Sequence, residues 1–372
     1  MEWQNGILGF IPEKDWIDVP FNPVRPNDPF SALINHEKTD NIAASYQTIA
    51  NEYLIPVMAQ FHGFDTEART SFRAPIDTRS VEKGLIKAKI NQSELMREYM
   101  KAGVIEATKQ YEFVISDGAR LGEQIITRTY VANGELFATG KVTIKENNLD
   151  ITIDYGVKTE QTNLVIDLSP DADIVEQITT IIETAKDAGV TLNGIILASK
   201  TLAKMRTNRS MQIAVNGTNS AGATLRNTAI KTFLSEEFGI NDVILNDELY
   251  NVEDGIGEDG RPKVTRKRYF PDDKITFFSK TPSGKLIAGL WGDPPEVTNK
   301  LMKTTSASGV SPYVYISQYT ENDPAVLWTK ASTLYIPVLY NPSSLYIATV
   351  TEGTVIEDTV PEGDATVPEE GA

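Results

Sequence analysis

Residues 55–91 read IPVMAQFHGFDTEARTSFRAPIDTRSVEKGLIKAKIN, a long and charged stretch that contains few residues able to build a core. Two limbs within it, residues 57–64 and 84–90, have the composition and partial alternation of β-strands. They predict a two-stranded arm. Because an isolated hairpin is only marginally stable in water, we infer that the arm lies on another surface, and that this surface belongs to a second copy of the chain.

The arm is opposite in charge to the rest of the protein. Residues 69–89 carry six Lys or Arg side chains against two acids, whereas the whole chain has 51 acidic and 35 basic side chains and a formal charge of −16. Docking on a neighbour's acidic surface fits this contrast, and a solvated basic loop is the alternative. The predicted contact residues are Phe61, Phe64, Arg69, Arg73, Arg79, Lys83, Leu85, Ile86, Lys87 and Lys89. We expect the apolar ones, together with Ile90, to be buried in that interface and nowhere else.

Composition and length bound the class of protein. The 372 residues, 41% of them hydrophobic and 23% charged, suffice for two or more sub-domains with a sizeable core. Neither an apolar run long enough to span a membrane nor a signal peptide is found, so we expect a soluble protein that is not exported. The chain has no cysteine, which excludes disulfides and thiolate chemistry. Its negative charge disfavours nonspecific binding to nucleic acid or anionic membranes.

Elements on both sides of the arm follow from local patterns. Residues 1–40 combine five prolines with aromatic anchors and predict an extended N-terminal arm. A helix is predicted from about Asp117 to Thr139, followed by Gly140 as a helix stop. Its apolar stripe consists of Leu121, Ile125, Ala132 and Leu136. Strands at residues 141–144 and 149–155 then predict a short hairpin.

A second sub-domain is predicted at residues 166–295, where helices and strands alternate. A helix should begin at Ser169-Pro170-Asp171 and end at Gly189, with a face of Ile174, Ile178, Ile181, Ile182 and Ala185. Further helices are expected at residues 200–207 and 223–238, and strands at residues 194–199, 243–245, 275–278 and 285–288. Strands at residues 313–316, 335–339 and 345–350 should rejoin the first sub-domain. Residues 351–372 hold seven acids and no Lys or Arg, which predicts a poorly ordered tail.

Residues able to support catalysis or metal binding are sparse. The two histidines, His36 and His62, lie far apart and have no local cluster of acids, so neither a metal site nor a Ser-His-Asp triad is predicted. We expect no enzymatic activity and no cofactor. A basic cluster formed by Arg261, Lys263, Arg266, Lys267 and Arg268 could contact phosphates or a neighbouring acidic subunit, and we favour the subunit.

A succession of short motifs resembles a known family. It consists of LFATG at 136–140, ITIDYG at 151–156, YFPDDK at 269–274, GLWG at 289–292, PVLYNP at 337–342 and YIA at 346–348. Together with the arm, these motifs resemble the major capsid proteins of tailed phages, in particular the lambda-type family, major capsid protein E. Each motif is weak alone, and their order over residues 20 to 350 is the informative feature.

The resemblance implies an α+β, Hong Kong 97-like capsid fold with an N-terminal arm, an extended β-hairpin loop, a peripheral domain with a long spine helix, and an axial α/β domain. The implied divisions are 1–40 for the N-terminal arm, 41–54 for the start of the peripheral domain, 55–91 for the extended loop, 92–165 for the peripheral domain with the spine helix, 166–295 for the axial domain, 296–350 for the return to the peripheral sheet, and 351–372 for the acidic tail.

The implied function is structural. Hexamers and pentamers of the chain would build an icosahedral phage head around double-stranded DNA, without sequence-specific DNA binding and without a membrane. Assembly would take place in the host cytoplasm, with a separate scaffolding protein, a portal and a decoration protein as expected partners. In some proteins of this fold a loop lysine forms a covalent cross-link, a role open here to Lys83, Lys87 or Lys89, although we expect noncovalent contacts or a decoration protein instead.

Two alternatives remain open at the level of the sequence. The first is an encapsulin-like nanocompartment shell of the same fold. The second is an α/β enzyme with its site in residues 166–295, which rests only on the alternation of helices and strands in that region.

Overall fold

The computed structural model describes residues 28, 30–48, 58, 77–92, 107–146, 148–217, 224–256, 262–280, 284–298, 304–306, 312–322 and 325–352. Most of the predicted N-terminal arm, the limb at residues 57–64 apart from Met58, residues 65–76 and the tail beyond residue 352 therefore lie outside the described residues.

The described strands, in chain order, are β1 (Ile34–Lys38), β2 (Ala43–Thr48), β3 (Asp77–Glu82), β4 (Gly84–Gln92), β5 (Lys141–Glu146), β6 (Leu149–Asp154), β7 (Leu164–Asp167), β8 (Gly194–Leu197), β9 (Asp242–Leu245), β10 (Leu249–Ile256), β11 (Pro262–Arg268), β12 (Lys274–Phe278), β13 (Ile287–Gly292), β14 (Thr304–Ser306), β15 (Tyr315–Asn322), β16 (Ala325–Leu339) and β17 (Leu345–Thr351). The described helices are α1 (Ala107–Thr139), α2 (Thr159–Thr162), α3 (Ile174–Asp187), α4 (Ser199–Thr207), α5 (Arg209–Asn216), α6 (Asn227–Phe238) and α7 (Pro295–Thr298), and a 3-10 turn spans Pro342–Ser344.

The larger sheet is built around β16. Within the described residues it contains six strands in the order β1-β13-β16-β15-β14, with β4 also paired to β16. The pairing of β1 with β13 is parallel, and the other pairings are antiparallel. Because β16 is 15 residues long, it can pair with β15 through residues 325–332 and with β13 through residues 334–339, while β4 pairs with residues 327–335.

The long helix α1 packs against this sheet. The predicted stripe is confirmed: Leu121, Ile125, Ala132 and Leu136 are all buried. The helix begins at Ala107, ten residues earlier than predicted, and ends at Thr139 as predicted. Gly140 adopts a φ of 72° and its N–H donates to the carbonyl oxygen of Leu136 at 2.8 Å, which closes the last turn.

The α/β unit contains the second sheet. Among the described residues its order is β7-β17-β12-β8-β9, with β12 antiparallel to its neighbours β17 and β8. The predicted apolar face of α3 is confirmed, since Ile174, Ile178, Ile181, Ile182 and Ala185 are buried in the core of this unit. The helix begins at Ile174 because Asp173 caps it, its side chain accepting a hydrogen bond from the N–H of Glu176 at 3.1 Å. Helix α5 was not predicted.

Two strands lie in a different sheet from the one predicted. Residues 285–288 were expected in the second sub-domain, but β13 starts at Ile287 and lies in the larger sheet. Conversely, β17 was expected in the first sub-domain and lies between β7 and β12 of the α/β unit. Both strands are apolar on both faces, so no alternation in their sequences indicates which sheet they join.

The end of the predicted N-terminal arm is also part of the folded body. Phe30 and Leu33 are fully buried, and the rings of Phe30 and Phe137 lie 4.9 Å apart. Residues 34–38 form β1 on the larger sheet. The prediction of an extended arm over residues 1–40 is therefore wrong for residues 30–38, because burial of these apolar side chains holds them on the core.

Candidate assembly surfaces

The second limb of the predicted arm is a strand of the protein's own larger sheet. Strand β4 pairs with β16 from Gly84 opposite Tyr335 to Gln92 opposite Leu327. Alternate side chains of β4, including Ile86 and Ile90, pack against the core beneath helix α1. The expectation that Ile86 and Ile90 are buried only between subunits is therefore wrong, because the long strand β16 offers a pairing edge within the same chain.

Strand β3 was not predicted, since residues 77–82 were placed between the two limbs of the arm. It pairs with β2, and Arg79 lies on it opposite Tyr46. The Arg79 guanidinium donates to the carbonyl oxygen of Tyr155 at 2.6 Å. A Cβ added to Gly156 would lie 2.3 Å from this guanidinium, so glycine leaves the room that Arg79 occupies. Arg79 thus connects β3 to the end of β6 within the chain.

Lys83 is an internal anchor. The residue is 5% exposed, and its Nζ donates to the carbonyl oxygens of Thr39 and, at 2.9 Å, Trp291. Burial lowers the pKa of Lys83, against the opposing influence of Asp40 and Asp293. The prediction of Lys83 as an intersubunit contact is wrong, because its ammonium group is satisfied inside its own chain.

The outward side chains of β4 form an exposed stripe, which we call the β4 stripe and define as Leu85, Lys87 and Lys89. Leu85 is 40% exposed. The Nζ of Lys87 lies 3.8 Å from Glu296, and the Nζ of Lys89 lies 4.0 Å from the centroid of the Trp328 ring. These are the described predicted contact residues that remain at the surface. The other predicted contacts, Phe61, Phe64, Arg69 and Arg73, lie outside the described residues.

A buried ion pair lies beside the β4 stripe, on the same face of the sheet. The side chains of Glu296 and Lys330 are only 9% and 15% exposed, and Lys330 donates to the carboxylate of Glu296. Ser332 lies 3.4 Å from the same carboxylate. Burial alone would raise the pKa of Glu296. The hydrogen bond from Lys330 and the positive charges of Lys330 and Lys87 instead hold that pKa below its ordinary value. The carboxylate is therefore held ionised.

The hairpin of β5 and β6 exposes apolar side chains that the sequence analysis did not single out. Leu149 and Ile151 are 53% and 47% exposed, and Ile151 lies opposite Ile144. This face continues inward to Val142, which is buried. The alternation of Leu149, Ile151 and Ile153 is a sequence signal for a single apolar face that extends beyond the core.

Within the described part of the chain, no group of three or more histidine or acidic side chains is arranged to hold a metal ion. None of the described helices combines the length and apolar character that crossing a membrane requires.

The chain matches a known protein family over more than half of its length. The family model described as phage major capsid protein E matches residues 112–350, which is more than half of the chain. No curated protein sequence matches the chain. The match includes most of α1, the whole α/β unit and the strands that return to the larger sheet.

Solved structures with a similar chain trace have low sequence identity to this protein. A candidate capsid protein of a prophage in E. coli CFT073 is 13% identical with a TM-score of 0.49, over 93% of this chain and 99% of the other. A phage-related protein from Bordetella bronchiseptica RB50 is 10% identical with a TM-score of 0.48, over 87% and 92%. The capsid of Myoviridae phage XM1 is 10% identical with a TM-score of 0.46, over 89% and 94%.

Proposed function

Because the chain belongs to the phage major capsid protein E family, we propose that it assembles as hexamers and pentamers into an icosahedral phage head around double-stranded DNA. The family match over residues 112–350 is the observation that carries this proposal. The members of this family are structural proteins and not enzymes, and they are components of the virion. Hexamers, pentamers and enclosed DNA are the specific claims to be tested.

The charge of the chain supports enclosure of DNA without specific recognition. A formal charge of −16 repels phosphate groups at long range, so an inner wall built from this chain would hold DNA without adhering to it. The expected partners are further copies of the chain, a scaffolding protein, a portal and a decoration protein. The expected place of assembly is the host cytoplasm.

Three surfaces are proposed to contact neighbouring copies. The β4 stripe presents the apolar side chain of Leu85 beside the cations Lys87 and Lys89, which suits a contact with an acidic protein surface. The tip of the β5–β6 hairpin presents Leu149 and Ile151. The part of the predicted arm that contains Phe61, Phe64, Arg69 and Arg73 is proposed as a third contact on the basis of its sequence. Burial of the exposed apolar groups would contribute to assembly in proportion to the area removed from water.

Electron microscopy of the purified protein tests the proposal. The chain should be expressed alone and together with the scaffolding protein of the same phage, and particles treated with nuclease before imaging. We expect closed shells of uniform size in at least one of the two preparations. A chain that stays monomeric in both preparations, at concentrations well above those of an expressing cell, would contradict the proposal.

A further inference from the structure

Strands β10 and β11 form a two-stranded ribbon that leaves the α/β unit directly after its edge strand β9. The strands pair from Leu249 opposite Arg268 to Glu253 opposite Val264, and neither pairs with any other strand in the described part of the chain. A two-stranded ribbon alone is marginally stable in water. The ribbon is therefore an element that gains stability from a further surface.

One strand of the ribbon is held by its own chain and the other is open. On β10, Tyr250 and Val252 are half-buried, and the rings of Tyr250 and Tyr269 lie 5.0 Å apart. On β11, every side chain from Lys263 to Lys267 is exposed, including Val264 at 54%. The surface available to a partner is thus the strand β11.

The open strand is basic. Lys263, Arg266 and Lys267 are exposed and have no ion-pair partner among the described residues, whereas Arg268 at the root of the ribbon pairs with Asp272 at 2.9 Å. These three cations are complementary to the net charge of −16 that another copy carries. The cations alternate along the strand: Arg266 lies on one face with exposed Leu249 and Val264, and Lys263 and Lys267 lie on the other face with Val252. This mixture of apolar and cationic groups fits a protein surface better than a phosphate backbone.

The outer face of helix α3 has the opposite charge. Asp173, Glu176, Glu183 and Asp187 are exposed and, at 100° per residue, lie on the side opposite the buried isoleucines. The helix packs on β7, where the side chain of Gln177 accepts a hydrogen bond from the N–H of Asp167 at 2.7 Å. Its length of about 21 Å matches the roughly 24 Å of a seven-residue strand.

The ribbon and the acidic helix face belong to opposite edges of one sheet. The ribbon follows β9 at one edge, and α3 packs on β7 at the other edge, with β17, β12 and β8 between them. A donor surface and an acceptor surface on opposite sides of a subunit make a head-to-tail contact between copies, and repeated head-to-tail contacts close into rings when the rotation permits.

We propose that strand β11 of one copy docks on the acidic outer face of helix α3 of a second copy. This contact rests on the proposed function, because it operates between subunits of a shell, and it identifies the two surfaces that join neighbouring α/β units. It requires no change in the fold of either copy, since both surfaces are exposed.

A charge swap tests the contact. The first variant combines Lys263→Glu and Lys267→Glu, which lie on the same face of β11. The second combines Glu183→Lys and Asp187→Lys, and the third carries all four substitutions. Lysines near the end of α3 suit the helix dipole, so the second variant should fold normally, as circular dichroism will verify. We expect each two-site variant to need about 5- to 10-fold more protein than the parent chain for half-maximal assembly, because each variant loses two exposed ion pairs. Sedimentation measures the assembled fraction. The four-site variant should recover assembly to within about 2-fold of the parent chain, because the swapped charges attract again.

A matched control uses a different acidic helix. Glu236 and Glu237 are exposed on α6, and Glu236→Lys with Glu237→Lys should not rescue the ribbon variant. Equal rescue by this control, or no rescue by the α3 swap while the parent chain assembles, would overturn the proposal and leave the capsid function intact. Normal assembly of the ribbon variant with less nuclease-protected DNA would also overturn it, and would assign β11 to nucleic acid. Failure of the parent chain to assemble under any condition would instead count against the proposed function.

Discussion

Replacing Glu296 by glutamine should lower the free energy of unfolding by about 3–5 kcal/mol. The substitution preserves the shape of the side chain but leaves the ammonium of Lys330, whose side chain is only 15% exposed, without its charged partner. A buried charge that loses its partner retains the cost of having been removed from water. The loss should appear as a lower urea midpoint for the unassembled chain, followed by circular dichroism.

The effect of this substitution should depend on pH in a specific direction. The pKa of Glu296 in the folded chain lies below its ordinary value of 4.5, which means that the ionised form stabilises the fold. That contribution is fully present above the unfolded-state pKa and is lost as the pH falls through the lower folded-state pKa. The difference between the parent chain and Glu296→Gln should therefore be constant above about pH 5 and shrink below pH 4.5.

A double-mutant cycle shows whether the ion pair itself is responsible. Adding Lys330→Met to Glu296→Gln should recover most of the lost stability, because no unpaired charge then remains buried. Lys87→Gln is the control, since Lys87 is 45% exposed and lies 3.8 Å from Glu296, and it should cost about 0–1 kcal/mol. A Glu296→Gln chain as stable as the parent at neutral pH, or a double variant less stable than either single variant, would refute the reasoning.

Other substitutions test separate parts of the structure. Gly134→Ala should destabilise the chain by about 1–3 kcal/mol, because its Cβ would lie 2.0 Å from the carbonyl oxygen of Tyr269, and the urea midpoint measures this. Asn208→Ala should cost about 2–4 kcal/mol in the same assay, since the fully buried amide donates to three loop carbonyl oxygens and its side-chain oxygen caps α5. A variant with both Leu149→Asp and Ile151→Asp should keep a free energy of unfolding within about 0.5 kcal/mol of the parent, because these side chains are exposed in the single chain. Its yield of sedimenting shells should fall, because the same side chains are proposed to contact a neighbouring copy.

Features set by local pattern were predictable from the sequence. The stripe of α1 and the apolar face of α3 follow from helical spacing, and Gly140 and Gly189 follow from the need for a residue that tolerates positive φ. The long helix, the β5–β6 hairpin, the strands and helices of the α/β unit and the long strand β16 follow one another along the chain. The family itself was identified from the order of motifs.

Features set by the choice of partner were not predictable. Strand β4 could have paired with residues 57–64 or with β16, and its alternation of apolar and charged residues fits either partner equally well. Lys83 was predicted as an intersubunit contact because it belongs to the basic stretch of the arm, and only the tertiary structure brings the carbonyl oxygens of Thr39 and Trp291 to its ammonium group. The partner of a strand or of a buried charge depends on contacts distant in the sequence.

A cryo-electron microscopy reconstruction of the assembled particle tests the central claim most directly. We expect an icosahedral shell in which copies of the chain form rings of five and six, with the β4 stripe and the tip of the β5–β6 hairpin in contact with neighbouring copies. A particle without five-fold and six-fold rings, or a shell in which both surfaces face solvent, would contradict this account.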